Sequence, residues 1–164
     1  MKDITTNQKA PLTGMIGEFL VMVELAKRGV FAARVDRFLR FDILTREGIK
    51  IEVKTAIIGK KRKLRETSAG KYNQEFLGWQ FNTIGTLKKD GKKHRLKRLQ
   101  LADFYIFVCL DKHHKPIEFF IIPHKELKPT VYMIHLDHNL GKLDARHKTR
   151  MMFNKYSERW DLIT

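Results

Sequence analysis

Asp42, Glu52 and Lys54 are the residues whose types and spacing point most directly to chemistry. They are two carboxylates and a lysine on what read as neighbouring strands, Phe41-Asp42-Ile43-Leu44 and Ile51-Glu52-Val53-Lys54. Ile49, Ile51 and Val53 alternate with Lys50, Glu52 and Lys54, a period of two that puts Glu52 and Lys54 on one face of a strand. With Arg46-Glu47-Gly48 as a hairpin loop and Gly48 at its left-handed position, Asp42 falls opposite Glu52. Two carboxylates side by side repel unless a cation lies between them, and such a pair is how a divalent metal is held beside a scissile phosphate. An isolated Glu-x-Lys is ordinarily a solvated strand face. Here Asp42 shares its face with Leu44, and the strand runs on through Thr55-Ala56-Ile57-Ile58 without another charge, so the pair lies at the edge of an apolar region.

The elements around this pair are legible as well. Gly14 to Gly29 reads as an amphipathic helix over 13 to 28, capped by Thr13 and ended by Gly29. Ile16, Phe19, Leu20, Val23 and Ala26 recur at helical spacing and are expected to face a sheet. Glu18 lies at the margin of that stripe, among Met15, Met22 and Leu25, and a carboxylate among apolar neighbours needs a partner. Its structural alternative is a first-turn Glu favoured by the helix dipole. Glu24 pairs with Arg28 at i,i+4.

Gly14-x-x-Gly17-Glu18, then Asp42 after a strand and a bend, then Glu52-x-Lys54, resembles the PD-(D/E)XK nuclease superfamily. The layout is similar to archaeal Holliday-junction resolvases and to small intron-encoded, homing- or restriction-like endonucleases. The resemblance covers residues 12 to 58 and, less sharply, 102 to 124, with Phe41 standing where the motif has proline. It implies an α/β restriction-endonuclease-like core. It also implies that Asp42, Glu52 and the Val53 carbonyl ligate Mg²⁺, that Glu18 completes or supports the metal site, and that Lys54 orients or activates the attacking water.

The chemistry has its own logic. Hydrolysing a phosphodiester needs charge neutralisation on the non-bridging oxygens, an activated water and a stabilised leaving oxygen. Hard oxygen ligands select Mg²⁺, with Mn²⁺ able to substitute. Lys54, beside two carboxylates, is better cast as a water-positioning and charge-stabilising group than as a general base.

Charge composition points to a polyanionic partner, with 33 Lys and Arg against 18 Asp and Glu and a formal net charge of +15 on 164 residues. The cations cluster in two basic insertions, at about 59 to 74 and 84 to 101. Lys60, Lys61, Arg62, Lys63 and Arg65 in the first, and Lys88, Lys89, Lys92, Lys93, Arg95, Lys97 and Arg98 in the second, read as loops or arms that track phosphates. Trp79 and Phe81 alternate with Gln80 and Asn82, so the aromatics are expected in the core and Gln80 is a candidate for facing DNA.

The chain reads as a single domain, 1 to 164, with 43% apolar residues. No apolar run reaches membrane-spanning length, the N-terminal residues show no signal-peptide core, and Cys109 sits in an apolar strand, so a cytoplasmic protein is expected. Strands are expected at 30 to 35, 40 to 45, 49 to 57, 75 to 83, 103 to 110 and 117 to 122, the last two apolar on both faces as central strands are. They imply a mixed central β-sheet flanked by helices. A helical turn at 124 to 127, a strand at 131 to 136 and a helix at 144 to 160 with Phe153, Tyr156 and Trp160 on one side follow. His135 and His138 have metal-ligand spacing on a helix, but no cysteines accompany them. No glycine-rich loop supports a nucleotide cofactor.

The reading that follows is a Mg²⁺-dependent endonuclease acting on duplex DNA through Glu18, Asp42, Glu52 and Lys54, assembled as a homodimer or higher homo-oligomer because two strands must be cut. A Holliday-junction resolvase of the same fold and a non-catalytic nucleic-acid-binding protein are the alternatives, and charge alone does not separate DNA from RNA.

Overall fold

The protein is described from a computed structural model over residues 6–35, 39, 41–67, 70–83, 86–89, 92–95, 102–127, 133–138 and 152–164. One long helix, α1 (Thr6–Lys27), precedes the strands β1 (Ala32–Arg34), β2 (Ile43–Thr45), β3 (Lys50–Ile57), β4 (Gly59–Thr67) and β5 (Gly70–Asn82). These are followed by β6 (Thr86–Lys89), β7 (Lys92–Arg95), β8 (Phe104–Leu110), β9 (Pro116–Pro123) and β10 (Met133–Asp137). The architecture is α/β around a mixed five-stranded sheet in the order β1-β2-β3-β8-β9, with β3 and β8 parallel and every other pair antiparallel.

The parallel pair explains the layout. Two parallel strands need a long crossover between them. Here, over its described residues, the crossover from β3 to β8 carries the β4–β5 hairpin and the β6–β7 hairpin. Both segments expected to be basic loops are therefore β-hairpins over their described residues. Their charge density hides the strand signal, because a run of lysine and arginine shows no apolar–polar alternation to read.

The two faces of the central sheet bury different partners. Ile51 and Val53 on β3, Ile106 and Val108 on β8, and Phe119 and Ile121 on β9 face α1 through Val21 and Leu25. Ala56, Tyr105, Phe107, Cys109, Phe120 and Ile122 face the other way, toward Trp79 and Phe81 of β5 and Ile134 and Leu136 of β10. The second layer is thus a three-stranded sheet, β10-β5-β4. Trp79 and Phe81 are core, as their periodicity indicates, and Trp79 Nε1 donates to the Leu110 carbonyl at 2.8 Å across the layers.

The helix differs from expectation at its start and in its buried face. It begins at Thr6, so Thr13 is interior and Pro11 lies inside the helix. Its end is as expected: Gly29 is at φ +75° and the Val30 amide donates to the Leu25 carbonyl, a left-handed C-terminal cap. The line turned to the sheet is Gly17, Val21 and Leu25, flanked by Ile16 and Leu20, whereas Phe19 is 51% and Val23 49% exposed, and Ala26 is also exposed. The reason is steric. A Cβ on Gly17 would lie 1.8 Å from Thr55 Oγ1, so the helix approaches β3 most closely where it has no side chain. The helix is apolar almost all round, and periodicity alone had no basis for choosing among its faces.

The C-terminal segment also departs from the expected single helix. Of 144 to 160, the described part is a helical turn at 152–154, then a bridge from Ser157 to Phe120 and a 3₁₀ turn, Trp160–Leu162. Phe153 and Tyr156 join the core between the two sheets, while Trp160 and Ile163 join the core under α1. The segment therefore wraps the outer edge of β9 and seals both layers, which a helix with one apolar side would not do. Among the described residues, no helix is long and apolar enough to cross a membrane.

Candidate active site

The β2–β3 hairpin forms with the expected register. Ile43 pairs with Ile51 and Leu44 with Lys50, Gly48 sits at φ +87°, and the Thr45 amide donates to the Ile49 carbonyl at 3.0 Å. Continuing this register would put Asp42 opposite Glu52. Asp42 has instead left the ladder in a bend, where it is fixed by three hydrogen bonds. Its amide donates to the Ile51 carbonyl at 2.9 Å, its carbonyl accepts from Val35 at 3.0 Å, and its Oδ2 accepts from the Val53 amide at 2.7 Å. The side-chain bond spans the hairpin and clamps Asp42 onto the middle of the Glu52-Val53-Lys54 triplet.

Glu52 and Lys54 share the face of β3 that carries Ala56 and pairs across to Tyr105 and Phe107 of β8. Lys54 Nζ donates to Glu52 Oε1, and the two side chains are 29% and 16% exposed. Phe41, where the nuclease motif has proline, is partly buried against the same core. The register that sets this face is pinned at the start of β3. Asp103 Oδ2 accepts from the Lys50 amide and the Asp103 amide donates to the Lys50 carbonyl, both at 2.8 Å.

Electrostatics mark Asp42 as the perturbed group. Burial pushes its carboxyl up to about 6, with the neighbouring Glu52 carboxylate adding to the rise and that of Glu18 contributing least. The Val53 amide and the Lys54 ammonium pull in the opposite direction. Four of the residues that stood out in the sequence thus act on one carboxyl group.

Glu18 is close enough to act on Asp42 but is held by another partner. Its Oε2 accepts from Arg34 Nε at 2.8 Å and from Nη2 at 2.6 Å, and the same guanidinium lies 4.9 Å from the Phe19 ring centroid. Arg34 was not singled out from the sequence. It sits on β1 opposite Ile43, on the face that α1 covers, and only the sheet register brings it to Glu18. Thr55 is a second residue that sequence reasoning passed over: its hydroxyl is buried against Gly17 without a hydrogen-bond partner in the protein.

Among the described residues, no three or more His, Cys, Asp or Glu side chains group closely enough to hold a metal by themselves. Mg²⁺ does not require such a cage, because it keeps several waters and is held through one or two carboxylates plus substrate oxygens. Asp42, Glu52 and the Val53 carbonyl offer hard oxygens of that kind, and the Asp42 carboxyl is raised first by burial and then by the Glu52 carboxylate beside it. This donor set fits a magnesium-like ion.

The remaining candidates separate by place. Lys60 is exposed at the root of the β4–β5 hairpin, and Lys61, Arg62, Lys63 and Arg65 lie along β4. Gln80 is half-buried on β5 opposite His135, with exposed Asn82 two residues on. Lys88, Lys89, Lys92, Lys93 and Arg95 form the β6–β7 hairpin, in which Lys88 is opposite Lys93 and Lys89 opposite Lys92. Like charges directly opposite oppose pairing unless counter-charge is supplied. Lys97 and Arg98 lie outside the described residues. His135 is on a strand, not a helix, with His138 just past its end stacked edge-on to Trp79 at 5.1 Å. An odd separation along a strand puts the two on opposite faces, which removes the metal-ligand spacing.

No protein-family model matches the chain, and no curated protein sequence matches it. Among solved structures, the chain is similar to a bacterial homing endonuclease, I-Ssp6803I, with a TM-score of 0.62 at 20% sequence identity over 93% of this chain and 91% of that one. At that identity the likeness is one of fold.

Proposed function

We propose that this protein is a metal-dependent DNA endonuclease of the PD-(D/E)XK type, hydrolysing phosphodiester bonds of duplex DNA with Asp42, Glu52 and Lys54 at its active site. The observation that carries the reading is the clamp of Asp42 Oδ2 on the Val53 amide at 2.7 Å, which fixes one acidic side chain against Glu52 and Lys54 at the edge of a buried sheet. A solvated strand face has no reason to bury and bond its aspartate in this way. The shared fold with a homing endonuclease and the net charge of +15 support the same reading.

In this proposal, Asp42, Glu52 and the Val53 carbonyl hold Mg²⁺, for which Mn²⁺ substitutes. When bound, the ion neutralises the phosphate and lowers the pKa of a coordinated water. Lys54, tethered to Glu52, orients the attacking water and stabilises charge on the phosphate oxygens. Glu18 is a supporting group whose charge Arg34 balances. Hydrolysis adds water across a phosphorus–oxygen ester bond, leaving a phosphate monoester and a free hydroxyl. A homodimer or higher homo-oligomer would present one site to each strand, and the exposed Leu12, Met15, Phe19 and Val23 on α1 are apolar surface consistent with such an assembly. The buried free thiol of Cys109 is compatible with a cytoplasmic protein.

The test is cleavage of supercoiled plasmid and of a four-way junction by wild type and Asp42→Asn, each with Mg²⁺ and with EDTA. Cutting that requires both Mg²⁺ and Asp42, with duplex affinity kept by Asp42→Asn, is the expected result. Equal cutting by Asp42→Asn would overturn the site, and preference for the junction would make the protein a resolvase of the same chemistry.

A further inference from the structure

Glu18 on α1 and Asp42 in the bend before β2 are both tied to the end of β1. The Val35 amide donates to the Asp42 carbonyl at 3.0 Å, and the preceding residue, Arg34, donates to Glu18 Oε2 from Nε at 2.8 Å and from Nη2 at 2.6 Å. Arg34 is opposite Ile43, the residue after Asp42. Gly17, the residue before Glu18, lies against Thr55, the residue after Lys54. The Glu18–Arg34 pair therefore borders the group formed by Asp42, Glu52 and Lys54, and the Glu18 carboxylate adds to the rise of the Asp42 carboxyl.

Three properties make this pair exchangeable. It is partly exposed, at 35% for the Arg34 side chain and 21% for that of Glu18, and ion pairs in such positions contribute little to stability, so parting them costs little. Both guanidinium nitrogens converge on the one oxygen Oε2, so a fork able to match two oxygens of a phosphate is engaged by a single atom. The half-exposed Phe19 ring lies 4.9 Å from the guanidinium, a second hold that does not depend on the carboxylate. The balance of charge gives the exchange a direction. With all three carboxylates ionised, Glu18, Asp42 and Glu52 outnumber Lys54 and Arg34 by one. A divalent cation turns this into one positive charge in excess, and one phosphodiester, with its single negative charge, restores neutrality.

We infer that Arg34 is a ligand for a backbone phosphate of DNA that Glu18 holds in reserve, released when a divalent cation at Asp42 and Glu52 draws on the Glu18 carboxylate. The inference rests on the nuclease reading above and deepens it, because cation and DNA then reinforce each other's binding through one arginine. No covalent bond changes in the exchange. The guanidinium trades a carboxylate oxygen for phosphate oxygens, and its hydrogen bonds stay charge-assisted throughout. By linkage, whatever factor the cation adds to DNA affinity, DNA adds to cation affinity.

The test is the salt dependence of binding to a random-sequence DNA duplex by fluorescence anisotropy, in EDTA and in Ca²⁺, which takes oxygen ligands as Mg²⁺ does. Wild type, Arg34→Ala, Glu18→Gln and the double variant are compared. Each phosphate neutralised contributes about 0.9 to the slope of log K against log salt. Ca²⁺ also screens the duplex, so slopes are compared only between proteins in the same medium. Wild type and Arg34→Ala should differ by close to zero in EDTA and by about 0.9 in Ca²⁺. Glu18→Gln keeps the shape but not the charge that holds the guanidinium, so it should exceed the double variant by about 0.9 in both media. A gain that came only from removing a repelling carboxylate would persist in the double variant. Arg34→Lys, which keeps the charge, should match wild type in Ca²⁺, and this separates lost charge from a displaced helix. The inference is overturned if wild type and Arg34→Ala differ equally in both media, or in neither, or if Glu18→Gln shows no gain over the double variant in EDTA. Plasmid cleavage by wild type with Mg²⁺ is read in parallel. Cutting without the Ca²⁺-dependent difference sinks the Arg34 assignment alone, and the difference without cutting sinks the nuclease alone.

Discussion

The mouth of the β2–β3 hairpin and the β4–β5 ribbon both carry clustered charge, yet they use it in opposite ways. At the mouth, Asp42, Glu52 and Lys54 are partly buried and bonded to one another or to backbone, and burial together with the Glu52 carboxylate moves the Asp42 carboxyl to about 6. In the ribbon, cations are strung along one strand, with Lys60, Lys61, Arg62, Lys63 and Arg65 all on β4. In the proposed function, concentrated charge in a low-dielectric corner serves bond-breaking, because its energy depends on an ion or a transition state arriving. Distributed charge on an extended surface serves affinity, because it acts through the release of many counterions.

The largest expected effect that separates the regions is at Lys54. Lys54→Met should lower cleavage by about 10²- to 10³-fold, the usual cost of one transition-state charge donor, with duplex affinity and salt slope unchanged. Single-turnover cleavage and fluorescence anisotropy measure the two. If affinity falls in step with cleavage, the mouth and the ribbon are not separate devices.

Next in size is the pH dependence of stability set by Asp42. Its folded carboxyl titrates about two units above its ordinary value, so the folded state holds the proton more tightly and stability is lost as pH rises from about 4 through 6. Asp42→Asn, which stays neutral, should therefore be more stable than wild type above pH 6 without metal, by up to about 3 kcal/mol, and equal to it below pH 4. Mg²⁺ should raise the melting temperature of wild type at pH 8 and leave Asp42→Asn unmoved. Melting curves across pH with and without Mg²⁺ test this, and a wild type that is more stable at pH 8 than at pH 4 relative to the variant would show the sign to be wrong.

Gly17→Ala should cost about 1–3 kcal/mol, the usual range for overpacking, because the added methyl meets Thr55 Oγ1 at 1.8 Å and the helix must shift. Denaturant unfolding measures the loss, and pairing the change with Thr55→Ala should recover part of it. The smallest effect is at Arg34. Arg34→Ala removes an ion pair and a ring contact that are both partly exposed, so stability should fall by no more than about 1 kcal/mol. A larger loss would mean that Glu18 depends on Arg34 as an active part of the mouth.

Much of the site is legible in the amino-acid sequence. Glu52 and Lys54 on one face, the turn at Gly48, the hairpin register and the core role of Trp79 all follow from period-two alternation and turn chemistry, which act within a few residues. The departure of Asp42 from the ladder does not follow, because a bend held by Val35 and Val53 depends on a neighbouring strand. Arg34 is hidden for the same reason: its partner Glu18 is on another element. Phe19 and Val23 are expected in the core because their spacing is as helical as that of Val21 and Leu25, and only the contact between Gly17 and Thr55 decides which line of the helix is buried. The basic insertions read as loops because charge density hides alternation, and their pairing is visible only in the register.

By itself, the sequence determined which residues could do chemistry, the hairpin that brings them together, and the chain's own positive charge, because all three are local or additive properties. Tertiary structure decided the bent position of Asp42, the ion pair that holds Glu18, the buried face of α1 and the pairing of the basic β4 segment with β5. These depend on contacts between residues far apart in the chain, and close packing selects among alternatives that local periodicity leaves equal.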